Sequence, residues 1–281
     1  MRGHKFSLFR AFAKKTVREI YALYLQSCGV DIYYEQYGDT GPDILLLHGW
    51  GCDVSLWKPV IDRLSGAFHV TALDFPGHGK SGKPPEPWDA RAFARMTADV
   101  IGQLGISGCA IIGHSHGGRT ALRLALDYPD ALSKLIITSG SGLRAKPSAA
   151  KTLRQRSYKI MKSGLLALEK ARVFGSLPER GLDALRQRFG SADYRALSKD
   201  MRGTFVLLVN TDLTDELHKI SVPTLLIWGD KDTETPLWMG ELMEREIPDS
   251  GLVVFEGADH FAYLREPDRF CRVVASFCGG S

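Results

Sequence analysis

The sequence predicts an α/β protein: a mainly parallel, twisted sheet with helices on both faces and one inserted helical cap. Three observations carry this. Short solid apolar runs, such as Ile44-Leu45-Leu46-Leu47 and Leu135-Ile136-Ile137, suit strands buried on both faces. These runs alternate with segments of helical periodicity, the signature of a parallel sheet with crossover helices. Between Arg144 and Ser221 the alternation stops, giving way to Ala-, Leu-, Lys- and Arg-rich sequence broken by Gly164, Gly175, Pro178, Gly181 and Gly190. Such a stretch reads as several short helices inserted between two sheet strands. A chain of 281 residues has room for one large domain carrying such an insertion.

Taken in order, residues 1–20 read as a basic amphipathic extension, with Phe9, Phe12, Ala13, Val17 and Ile20, and Tyr24 just beyond it, at helical spacing among Arg10, Lys14, Lys15 and Arg18. Basic residues interrupt any apolar h-region, so it does not read as a secretory signal. The readings left are a helix docked on the domain, an interfacial helix making weak peripheral contact with anionic lipid, and a transit-like presequence. The core is then expected over 21–143 and 222–281, with the cap at 144–221. Tyr21–Ser27 and Val30–Tyr37 flank Cys28-Gly29 as a β-hairpin, which supplies an antiparallel edge. Ile44–His48 is a strand, followed by a helix around Leu56–Leu64 and a strand at Phe68–Leu73. The loop from Asp74 to Pro87 precedes a helix at Ala90–Leu104. Next come a strand at Cys109–Gly113, a helix at Ser115–Asp127 and a strand at Lys134–Thr138. After the cap, Thr224–Gly229 and Leu252–Phe255 read as strands, with helices around Leu237–Glu246 and Pro267–Phe277.

Composition narrows the class. The hydrophobic share is 44% and the charged share 24%, as in ordinary globular proteins, and no apolar run approaches the length of a membrane span. Five scattered cysteines without a C-x-x-C pair argue against a disulfide framework or a structural zinc site, and place the chain in a reducing compartment, the cytoplasm by default. The net charge of +4 is unevenly spread: residues 1–25 carry +5 and residues 144–221 carry +8, which leaves −9 elsewhere. The basic cap points towards an anionic substrate.

The strongest local signal is Gly113-His114-Ser115-His116-Gly117-Gly118, between a buried strand and a helix. This is a G-x-S-x-G nucleophile elbow in the context the motif requires. The glycines let strand and helix approach around a strained turn that exposes the serine, and the helix N-terminus offers unpaired N–H groups beside it. A serine hydroxyl needs a base. Of eight histidines, His260 is the candidate, because Gly257-Ala258-Asp259-His260 follows the last strand on the carboxyl edge shared with the elbow. His114 and His116 lie too close to Ser115 in sequence to fold back onto it comfortably. The base in turn needs a carboxylate. Lys134 to Lys151 contains no acid, whereas Gly229-Asp230-Lys231-Asp232 contains two. Asp232 extends further past its strand towards the histidine loop, and Asp230 suits a turn-shaping role.

The order Ser115, Asp232, His260 and the spacing of these motifs resemble the α/β-hydrolase superfamily, in particular its members with an H-G-x loop and a helical cap. The resemblance spans roughly Tyr21 to Phe277. It implies that His48-Gly49-Trp50 is the first oxyanion loop and that the backbone N–H groups of Trp50 and His116 form the oxyanion hole. It also implies that Asp74-Phe75-Pro76-Gly77-His78-Gly79-Lys80-Ser81 is a structural loop, and that Gly229-Asp230-Lys231-Asp232 is the acid loop. A serine in the elbow sets the chain apart from relatives with an aspartate nucleophile. The activity implied is hydrolysis of a small carboxylic ester through an acyl-enzyme. Neither a cofactor or metal nor a nucleic-acid partner is expected, and the oligomeric state is left open. Carbon–carbon bond hydrolases remain an alternative, although Phe261 stands where they typically carry tryptophan. So do cofactor-free haloperoxidase-like enzymes and, from another class, non-catalytic ligand receptors on the same fold. Trp50, Phe205 and Phe261 are candidate lining residues of the cleft.

Overall fold

The computed structural model describes residues 21–144 and 197–279, with single helical positions at 161, 163, 165, 167 and 181. The extension at 1–20 and most of the segment expected as the cap lie outside the described residues. Strand β1 (Tyr21–Ser27) pairs antiparallel with β2 (Val30–Tyr37) through a turn at Cys28-Gly29. The remaining strands are β3 (Asp43–Leu47), β4 (His69–Leu73), β5 (Cys109–His114), β6 (Leu132–Thr138), β7 (Thr224–Gly229) and β8 (Ser250–Phe255). All eight make one sheet in the order β1-β2-β4-β3-β5-β6-β7-β8. From β4 to β8 every pairing is parallel, and β2 joins β4 antiparallel, so the hairpin forms the antiparallel edge.

Alternation along the strands divides the core into two layers. Leu45, Leu47, Ile111, Leu135, Ile137, Leu226 and Trp228 face one side, packed with helices α2 (Ala90–Leu104) and α3 (His116–Asp127). Ile44, Leu46, Ile112, Ile136, Leu225 and Ile227 face the other, where Val60, Ile61 and Leu64 of α1 (Lys58–Leu64) cover them. Successive side chains of a strand point to opposite faces, and each of these residues is fully or nearly fully buried. This is why the strands read as solid apolar runs rather than as an apolar–polar alternation.

Element boundaries follow local chemistry. The helix expected over Leu56–Leu64 opens as a 3-10 turn at Val54–Trp57, where the Asp53 side chain accepts from the Ser55 N–H, and continues as α1 with Pro59 in its first turn. Helix α2 is capped by Asp89, which accepts from Ala92 N–H at 2.9 Å, and ends at Gly105 with φ of 69°. Beyond Ser198 the chain forms a 3-10 turn at Lys199–Met201, α4 (Arg202–Val209) and a 3-10 helix at Thr214–Lys219, with no strand among the described residues of 197–221. Then come α5 (Trp238–Glu246), α6 (Ala262–Arg265) and α7 (Pro267–Cys278). The short α6 lacks the length for a periodic signal and is absent from the sequence reading. None of the described helices is long and apolar enough to cross a membrane, and all five cysteines are free thiols.

Candidate active site

Because β3, β5, β7 and β8 run parallel, the loops that follow them emerge on one edge of the sheet. These loops carry His48-Gly49-Trp50, Ser115, Asp232 and His260. Ser115 belongs to neither β5 nor α3; the helix expected to start at Ser115 starts at His116. The reason is its backbone, with φ of 52° and ψ of −109°, which no helix accommodates and which a residue with a side chain rarely adopts. Four hydrogen bonds hold it there. Its N–H donates to Thr138 O at 3.3 Å, and its carbonyl accepts from Arg119 N–H at 3.1 Å and from the Ser141 N–H and hydroxyl at 3.0 and 2.9 Å. Strain persists where the surroundings over-determine it. Ser115 is partly exposed while His114, His116, Gly117 and Gly118 around it are buried.

Asp232 is 5% exposed, and both carboxylate oxygens are engaged. Oδ1 accepts from the Glu234 and Thr235 N–H groups, each at 2.9 Å. Oδ2 faces His260 Nδ1 at 2.9 Å and the Thr235 hydroxyl at 2.8 Å. Burial pushes the carboxyl pKa up, but the donors from His260 and Thr235 outweigh it and hold the group below its ordinary range. An ionised Asp232 fixes the proton of His260 on Nδ1 and leaves Nε2 available as a base. Asp230 turns elsewhere, accepting from Gly257 N–H at 2.6 Å and pairing with Lys231 at 3.0 Å. It braces the histidine loop from outside. That loop crosses directly over the end of β7: a side chain at Gly229 would stand 2.3 Å from Ala258 O and 2.4 Å from Asp259 O.

No direct hydrogen bond joins Ser115 and His260 in this structure; the elbow and the histidine loop are linked through His114 instead. The His114 Nε2–H donates to His260 O at 3.0 Å, and the two rings lie 4.7 Å apart. Burial drives the His114 pKa down to about 3, so the ring is neutral, and with Nε2 donating, its Nδ1 has no hydrogen-bond partner among the described residues. Catalytic hydrogen bonds are often open in free enzymes and close around substrate.

The loop after β3 abuts the elbow, since a side chain at Gly49 would lie 3.3 Å from Ser115 Cβ. His48 holds this loop: its Nε2 accepts from Phe75 N–H at 2.9 Å, so Nδ1 carries the proton and donates to Gly49 O at 2.7 Å. Burial lowers the His48 pKa to about 3 as well. The Trp50 N–H donates to no backbone acceptor among the described residues, and the His116 N–H lies in the first turn of α3, where intrahelical acceptors are lacking. Both are thus available to an external oxygen. The Trp50 ring packs edge-on to Phe205 at 5.3 Å and to His78 at 4.7 Å, while Phe261 lies beside His114 and His260. Asp74 accepts from Val54 and Lys80 N–H groups and Ser81 donates to Asp74 O, which ties the glycine-rich loop to the end of β4.

Sequence reasoning passes over two residues. Thr235 has a faint signal, the Asp-x-x-Thr spacing of an Asx-type turn. His114 enters it only as a rival base; its signal is a polar residue closing an otherwise apolar strand.

A partly exposed serine on a strained turn, a buried carboxylate–imidazole pair and N–H groups without described acceptors, gathered on one edge of the sheet, are groups that covalent acyl transfer uses. Residues 44–273 match the model of the alpha/beta hydrolase family, and the chain belongs to that family. Among its relatives, a Mycobacterium tuberculosis protein is 31% identical over 261 residues, covering 85% of this chain and 75% of its own. A pimeloyl-[acyl-carrier protein] methyl ester esterase of Aeromonas hydrophila is 29% identical over 268 residues, covering 89% of this chain and all of its own. An esterase from Exiguobacterium antarcticum superposes with a TM-score of 0.71 at 25% identity, covering 92% of this chain and 99% of the esterase.

Proposed function

We propose that this α/β hydrolase is a serine carboxylic ester hydrolase with Ser115 as nucleophile, His260 as general base and Asp232 as its orienting carboxylate. The observation that carries the reading is the Asp232–His260 pair at 2.9 Å, buried on the edge where Ser115 stands on its strained turn. On this reading Ser115 Oγ attacks the ester carbonyl as His260 Nε2 takes its proton. The oxyanion of the tetrahedral intermediate is received by the N–H groups of Trp50 and His116. His260 then gives the proton to the leaving alcohol, and the acyl group stays on Ser115. Water, deprotonated by the same nitrogen, releases the acid and restores the serine. The helix N-terminus favours the developing negative charge. Esterases among the relatives support the bond type. Substrate choice falls to the proposed cap at 144–221 and to Trp50, Phe205 and Phe261 at the cleft.

A p-nitrophenyl ester chain-length series on wild type and His260→Ala tests this. Turnover with a chain-length optimum, reduced in His260→Ala by on the order of 10³-fold or more, is expected. Equal turnover by the two proteins excludes His260 as the base.

A further inference from the structure

Two arginines occupy successive turns of α3, and their surroundings differ. Arg123 is neutralised: it pairs with Asp127 at 2.6 Å and Glu216 at 2.8 Å. Arg119, one turn closer to Ser115, has no ion pair and no side-chain hydrogen bond among the described residues. Its Nε is enclosed without an acceptor there, yet the side chain as a whole keeps partial exposure. Its Cγ lies against Gly142, with Leu213 and Leu122 beside it, and none of these offers charge. Burial alone lowers its pKa to about 10, with no described carboxylate near enough to hold it up, and its charge is felt by the His116 ring.

A largely buried cation that no described residue neutralises is costly to hold in place. Its position says what it is kept for. Four residues along a helix advance roughly 6 Å, and helical side chains lean back towards the N-terminus, here towards Ser115. We propose that Arg119 is a specificity-determining residue that binds a carboxylate on the substrate, so that the enzyme prefers esters whose acyl chain ends in a second, ionised carboxyl group. This rests on the serine-esterase reading and adds the substrate class. The planar guanidinium suits a carboxylate in a fork-to-fork pair.

The test compares kcat/KM for monomethyl adipate and monomethyl suberate with the length-matched methyl hexanoate and methyl octanoate. Wild type is expected to favour at least one half-ester by about 10–100-fold, the range of a charge-assisted pair. Arg119→Met collapses that ratio, and Arg119→Lys restores part of it. Because the cation is unpartnered among the described residues, Arg119→Met melts no lower than wild type, whereas an arginine kept for structure would show a loss. A wild-type ratio at or below one, or a ratio unchanged in Arg119→Met, overturns the proposal. Calorimetric binding of monomethyl adipate to Ser115→Ala and to Ser115→Ala/Arg119→Met reads the same contact without turnover. Weakening by about tenfold or more supports it and equal binding overturns it. Loss of fluorophosphonate labelling in wild type overturns the esterase reading instead.

Discussion

His48 and His114 are buried and neutral, their pKa values lowered to about 3 by loss of water, against about 6.5 in an unfolded chain. The folded value lies below the unfolded one, so between these limits the unfolded chain binds the extra protons. The stability tied to each ring is therefore complete above pH 6.5 and is lost as pH falls from 6.5 towards 3. From pH 7 to pH 5 each histidine costs about 2 kcal/mol, and the pair about 4 kcal/mol. His116, also held well below its ordinary value by burial, acts in the same direction. At about 2–4 °C per kcal/mol for a domain near this size, the pair alone lowers the melting temperature by roughly 8–16 °C. Circular-dichroism melts between pH 7 and 5 at constant ionic strength measure this. His114→Gln and His48→Gln should each flatten the dependence by about 1.4 kcal/mol per pH unit near pH 5, the weight of one proton. A melting temperature equal at pH 7 and 5, or full dependence retained in both variants, would falsify the assignment of neutral buried rings.

Three further outcomes follow from the site. Asp232→Asn should reduce kcat for an activated ester by on the order of 10³–10⁴-fold, whereas Asp230→Asn, which keeps an acceptor for Gly257 N–H, should stay within about tenfold in steady-state assays. Thr235→Val removes the hydroxyl donated to Asp232 at 2.8 Å; about 1.5–3 kcal/mol of stability and about tenfold in kcat should go with it, by denaturant titration and kinetics. Gly229→Ala drives a methyl group into the carbonyls of Ala258 and Asp259, so about 1–3 kcal/mol of stability should be lost in the same titration, and turnover should drop as the histidine loop shifts.

The sheet is legible because its strands are buried on both faces. Runs such as Ile44–Leu47 and Leu135–Ile137 are short, wholly apolar and too brief for a buried helix, so a strand is the reading left. The boundaries are less so: β5 extends to His114 because the strand geometry continues through a polar residue, and Ser115 leaves the helix because its φ is set by the packing around the elbow. The order Ser115, Asp232, His260 is readable from loop positions on a shared edge. The network that aims these groups is not. Thr235 matters because the chain folds back after Asp232, and His114 because the loop after β8 returns across β7 to meet it. Both are contacts between segments distant in sequence or turned by local geometry, marked in the sequence only by the Asp-x-x-Thr spacing and by a polar residue closing an apolar strand. Arg119 likewise reads as an ordinary polar residue of an amphipathic helix until the absence of a counter-ion among the described residues is seen.

The central claim is that Ser115 is an activated nucleophile served by His260. Peptide mapping after treatment with a fluorophosphonate probe tests it most directly. The account predicts a single phosphonylated residue, Ser115, in wild type, slow labelling in His260→Ala and none in Ser115→Ala. Labelling that persists equally in Ser115→Ala, or its absence from the wild-type protein, contradicts it.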